Sequence, residues 1–154
     1  MATRSTIAIA REDGTVAKVY CHWDGYLDNN GRILQEHYQD PFKVQRLIDN
    51  GAISSLKPEI GEKHDFDWYF KKDTIPQDMK DIYENLWTCF YARDRGEDLV
   101  KHSFKDYAEY RKEAQFEEYN YILRRDGNWY VEFYGEFDGL LSEAFEFKAM
   151  EEAE

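Results

Sequence analysis

Two cysteines, four histidines and a scatter of acids and aromatics are the side chains of this 154-residue chain with obvious chemical potential. Cys21 and His22 are neighbours, which invites a thiol nucleophile activated by a base. In a strand, however, adjacent side chains point to opposite faces, so this pair cannot form the hydrogen bond that activates a thiol. His37 offers a base at a separation that nothing in the sequence fixes. A small buried cysteine is the simpler reading of Cys21. His22 and Asp24 alternate onto one strand face and, with His37, make the set a metal-dependent enzyme would use; Asp65 and Asp67 repeat that spacing beside His64. No HExxH, calcium-loop or paired-cysteine pattern accompanies them, so no catalytic residue, metal or cofactor is expected.

Ligand recognition is a separate possibility. Neither glycine-rich phosphate loop, GxGxxG or GxxxxGK[ST], is present. Tyr20, His22, Trp23, Asp24, Tyr26 and His37, together with Arg93 and Arg95, form instead a set able to hold a small ligand such as a nucleotide through ring stacking and guanidinium contacts. If a strand covers that region, Arg93 and Arg95 share one face; the competing reading pairs them with nearby acids. Arg124 and Arg125 beside Tyr119, Tyr121, Trp129 and Tyr130 have the makings of an RNA-binding sheet, but the net charge of −12 opposes nucleic acid.

That charge is unevenly placed. Residues 1–58 carry seven acids and seven bases, whereas residues 59–154 carry 25 acids and 13 bases, so the whole excess lies in the latter part. Acids interleave with aromatics there, and Asp65, Asp67, Glu132, Glu136, Asp138, Glu143 and Glu146 are candidates for an anionic surface that docks a basic protein, even one that imitates a nucleic-acid backbone. Solubility alone is the plainer explanation of the same residues.

The elements that must position these groups follow from periodicity and punctuation. Residues 5–11 and 15–22 alternate around Asp13-Gly14, and residues 119–124 and 129–134 alternate around Asp126-Gly127, each a hairpin signal. A short helix is expected over 32–38. A better marked one begins at Asp40-Pro41, stops at Asn50-Gly51 and buries Val44, Leu47 and Ile48. Residues 52–76 resist assignment. A helix over 77–86, a strand over 88–93, a helix opened by Ser103 and Asp106 as a capping box, and a helix over 140–150 complete the reading. The fold class is therefore α+β, with an antiparallel sheet of two hairpins and one further strand under short helices. Residues 1–150 form a single domain, and the acidic residues 151–154 are expected to fray.

Composition narrows the class further. Apolar residues make up 42 % and aromatics 17 %, too much for a disordered chain. No apolar run reaches the ~20 residues of a membrane helix, and the start is too polar for a signal peptide, so a cytoplasmic protein with reduced thiols is expected. The opening Thr3–Ile9, the string YCHWDGYL at Tyr20–Leu27, His37-Tyr38, DNGAISSL at Asp49–Leu56 and YARDRGEDL at Tyr91–Leu99 resemble a family of small phage and prophage proteins, and EYNYIL and WYVEF are similar to its C-terminal hairpin. The chain departs from that pattern at Glu59–Asp81, a longer acidic loop. The resemblance brings no catalytic residues; it implies a phage origin and action inside a bacterial cell. The leading expectation is a non-enzymatic accessory protein that binds a basic host protein and inhibits a host defence or nucleic-acid enzyme. A nucleotide-sequestering protein and a metal enzyme built on His22, Asp24 and His37 are the alternatives.

Overall fold

A computed structural model describes residues 2–153. Both expected hairpins form, and both turn on a glycine with positive φ, 90° at Gly14 and 85° at Gly127. Each turn is tied by its aspartate: Asp13 accepts from the Thr15 amide at 2.9 Å and Asp126 from the Asn128 amide at 2.9 Å. The first hairpin joins β1 (Ser5–Ala10) to β2 (Val16–Cys21). After β2 the chain makes a π-helical turn (Leu27–Gly31), α1 (Arg32–His37) and α2 (Pro41–Asp49). The Asp40 side chain caps α2 by accepting from the Phe42 amide, as the Asp-Pro signal predicts.

The irregular stretch contains β3 (Ile53–Ser55), a 3-10 segment (Trp68–Thr74) and α3 (Gln77–Asn85). The strand expected over 88–93 is only β4 (Cys89–Phe90); the chain then winds into α4 (Tyr91–Arg95). Next come β5 (His102–Phe104) and α5 (Tyr107–Glu113). Ser103 is therefore a strand residue rather than a cap. Asp106 is the N-cap, accepting from the Glu109 amide at 2.8 Å, while the Glu109 carboxylate reaches back to the Lys105 amide. The second hairpin, β6 (Tyr119–Leu123) and β7 (Trp129–Phe133), continues into β8 (Phe137–Leu140) and α6 (Leu141–Ala153). Helix α6 thus runs through residues 151–153, where fraying was expected; residue 154 lies outside the described residues.

The α+β class holds, but the sheet is mixed. Its order is β4-β3-β2-β1-β6-β7-β8, with β5 pairing to β2. β1 pairs parallel to β6 from Ser5↔Tyr119 to Ile9↔Leu123, and β2 meets β3 in parallel at Cys21↔Ile53. Hairpins set direction only within themselves. The long excursion between β2 and β6 leaves the chain free to bring the second hairpin in beside β1 in the same direction.

The two faces of β1 feed two clusters, in accord with its period of two. Ile7 and Ile9 join Val19, Leu34, Val44, Leu47, Tyr121, Val131 and Phe133 under α1, α2 and α6. Ala8 joins Val16, Ile122 and Tyr110 under α5 on the other face. Burying one such aliphatic or aromatic side chain contributes about 1.5–3 kcal/mol. No helix among the described residues is long and apolar enough to cross a membrane.

Candidate functional site

The YCHWDGYL string is bound tightly into the scaffold. Asp24 adopts a left-handed φ of 56°, and the chain then passes so close to β1 that a Cβ at Gly25 would lie 2.6 Å from Ser5 Cβ and 2.9 Å from the Thr3 carbonyl oxygen. Tyr121 donates its hydroxyl to the Gly25 carbonyl at 2.6 Å, and the Gly25 amide donates to Thr3. Asn30, fully buried, donates to Ser5 Oγ at 3.0 Å and to Cys21 Sγ at 3.4 Å. Burial pushes the Cys21 thiol up to about 11, so it stays protonated, as the packing reading requires.

The ligand set read from the sequence is not gathered at one place. Tyr20 spends its hydroxyl on His22 Nδ1 at 2.6 Å, and the His22 ring stands edge-on to Trp23. Trp23 lines a pocket with Trp68 and Tyr83, whereas Tyr26 lines another with Arg32 and Phe145. His37 ends α1 beside Glu36. Among the described residues, His22, Asp24 and His37 do not form a ligand group. The one trio of potential metal-binding side chains among the described residues whose atoms fall within 4.8 Å of one another is His64, Cys89 and Asp94.

That trio belongs to a buried charge bolt. Arg93 and Arg95 sit on α4, not on one face of a strand. Asp94, with a fully buried side chain, accepts from the His64 amide at 3.1 Å, the Phe90 amide at 2.8 Å, and Arg93 Nε and Nη2 at 3.0 and 3.1 Å. Arg93 spends its other donors on the carbonyls of Ile60, Gly61 and Thr88 at 2.9–3.0 Å. A carboxylate offers about four lone-pair positions, and all are taken here, so Asp94 has nothing left for an ion. His64 donates from Nδ1 to the Glu62 carbonyl and stacks on Tyr83 at 4.8 Å. Burial and the charge of Asp94 push the Cys89 thiol up to about 12, away from the thiolate a metal or a nucleophile needs. The pairing with neighbouring acids is the arrangement found: Arg93 with Asp94, and Arg95 with Glu97 at 3.4 Å.

The acids behave differently. Asp65 pairs with Lys71 at 2.8 Å, and Asp67 lies beside it on the 59–87 excursion. Glu143 and Glu146 are exposed on α6. Glu132 stands opposite Asp138 across the β7–β8 ladder. Such like-charge pairs are unfavourable, and Arg111 relieves this one by bridging Asp138. Around the start of β6 and the end of β7 the acids remain open. Tyr119 is pushed up by burial and then by Glu118, Glu136 and Glu151, and Tyr134 rises to about 12 by burial and its bond to Glu118. Glu118 accepts from the Tyr134 hydroxyl at 3.0 Å, and Glu132 from Asn120 Nδ2 at 2.9 Å and the Gly135 amide at 3.0 Å. Among the described residues none of Glu117, Glu118, Glu132, Glu136 and Glu151 forms an ion pair with a lysine or arginine.

No family model, curated protein or solved structure matches this chain.

Beside Glu118 and Glu136 stands Tyr134, more than half exposed, with a left-handed φ of 55° and its ring edge-on to Tyr119 at 5.5 Å. Sequence reasoning had named Glu132 and Glu136 but passed over Glu117, Glu118, Glu151 and Tyr134. The signal was the acid pair directly before the first strand residue of the hairpin. Only the α6 position of Glu151 depends wholly on tertiary packing.

Proposed function

We propose that this chain works by binding, presenting the carboxylate-ringed Tyr134 corner to a basic surface of a host protein. The supporting observation is three carboxylates without a lysine or arginine partner among the described residues, Glu118, Glu136 and Glu151, beside the exposed Tyr134 and its neighbour Tyr119 at one end of the β6–β7 hairpin. An exposed aromatic held by its neighbours is the kind of residue that anchors an interface, because it buries much area at little loss of side-chain freedom. The surrounding charge steers a cationic partner and sets orientation. The resemblance to small phage proteins supplies the setting, a bacterial cell; the acidic charge suits a target with a cationic groove, such as a host defence or nucleic-acid enzyme. The protonated thiols of Cys21 and Cys89 and the fully engaged Asp94 also favour binding over catalysis at the sites named from the sequence.

The test is affinity capture from bacterial lysate with the native chain and with a variant carrying E118Q, E136Q and E151Q. A host protein retained at low salt by the native chain, released by added salt and lost from the variant supports the reading. Equal capture by both chains would sink it.

A further inference from the structure

The opposite end of the same sheet gathers three arginines. Because β1 and β6 run parallel with Ile9 opposite Leu123, the residues that follow them leave the sheet at the same end. Those residues are Arg11 and the pair Arg124-Arg125. The three arginines line one pocket of ≈ 610 Å³, floored by Ile9 and Leu123 and walled by Pro41 and Phe42 from the start of α2. A second hollow of ≈ 370 Å³ adjoins it and shares Arg124 and Arg125. Pockets of a few hundred cubic ångströms, about 300–1,000 Å³, are the usual size for small ligands.

The donors here are unspent, unlike those of Arg93. Among the described residues none of the three forms an ion pair with a carboxylate. Arg11 Nε is buried without a hydrogen-bond partner. The Arg124 guanidinium is held between the rings of Tyr107 at 3.9 Å and Tyr130 at 5.2 Å, which fixes its plane and leaves its N–H edges free. The acids nearby keep their charge but make no ion pair with the three: Asp126, on the second hollow, accepts from Tyr130 and from the Asn128 amide, Asp13 accepts from Thr15, and Glu12 is the one carboxylate on the wall of the larger pocket. Three guanidinium groups lining one pocket, in a chain with 32 acids and 20 bases, suit an anion with several oxygens. Phe42, four-fifths exposed at the rim, adds a flat apolar face for a planar body.

We propose that this pocket binds a nucleoside phosphate, with Arg11, Arg124 and Arg125 on the phosphate oxygens and the base stacked on Phe42. The site is separate from the Tyr134 corner and stands whether or not that corner docks a protein. It also places nucleotide recognition away from the Tyr20–Tyr26 set.

Calorimetric titration of the native chain with ADP, pyrophosphate, adenosine and a short single-stranded oligonucleotide tests it. The expected order is ADP tighter than pyrophosphate, with adenosine weakest. Arg125→Ala, at an exposed position, is expected to weaken ADP about tenfold or more without changing the melting temperature of the free protein, as loss of a charge-assisted contact demands. Arg125→Lys keeps the charge but loses the fork and is expected to fall between. Phe42→Ala is expected to bring ADP down to the level of pyrophosphate. Absence of ADP binding, or ADP binding unchanged in Arg125→Ala, overturns the proposal. Equal affinity for ADP and pyrophosphate in the native chain overturns the nucleoside part, and an oligonucleotide that binds more tightly than ADP assigns the pocket to nucleic acid instead.

Discussion

Arg93 and Arg124 are the same residue type in the same chain, yet the β3–β4 edge and the β6–β7 hairpin use them in opposite ways. At the edge, Arg93 and Asp94 satisfy each other and five backbone groups, fastening the 59–64 segment to the sheet. At the hairpin, charge is left open: arginines at the turn end and carboxylates around Tyr134 at the other. What separates a structural charge from a binding charge is thus whether its hydrogen-bonding capacity is consumed inside the fold. The net charge of −12 says nothing of this, because a sum does not record which charges are satisfied inside the fold.

The contrast breaks most visibly at Asp94. Asp94→Ala leaves Arg93 buried without its carboxylate, and urea unfolding is expected to show a loss of about 3–5 kcal/mol. A loss of under about 1 kcal/mol would mean the bolt is no more than a surface pair. Gly25→Ala comes next. Its Cβ would collide with Ser5 and the Thr3 carbonyl, so a cost of about 1–3 kcal/mol is expected from the same measurement.

Alkaline pH probes the packed cysteines from another side. The folded state holds Cys21 up to about 11 and Cys89 up to about 12, against an ordinary value of 9.0. Their contribution is therefore complete below pH 9.0 and is lost as pH rises through those higher values, since the unfolded chain releases these protons first. Stability measured against pH is expected to fall in that window, and a thiol reagent at neutral pH is expected to label neither cysteine in the native protein. The smallest effect belongs to the open carboxylates. Neutralising Glu118, Glu136 and Glu151 is expected to change stability by no more than about 0.5 kcal/mol apiece, because binding charges of this kind do not hold the fold.

What the sequence disclosed follows the same division. Features set by near neighbours were legible: the Asp13-Gly14 and Asp126-Gly127 turns, the Asp40-Pro41 start of α2, and the alternation of β1 and β6. Features set by distant partners were not. The parallel union of β1 with β6 joins residues more than a hundred positions apart, and β3, β5 and β8 are too short to show a period of their own. The reading of Arg93 as a ligand clamp failed for that reason. Its carbonyl partners at Ile60 and Gly61 are about thirty residues away in a segment without regular signal. Arg11 and Arg124 were likewise brought together only by that parallel pairing.

Mapping amide NMR shifts while adding a short arginine- and lysine-rich peptide at low salt tests the binding role most directly. The shifts are expected to centre on Glu118, Tyr119, Tyr134 and Glu136 and to vanish when salt is raised. Shifts of equal size over every acidic stretch, including Asp65–Asp67 and α6, would contradict a defined docking corner and reduce the anionic surface to a solubilising coat.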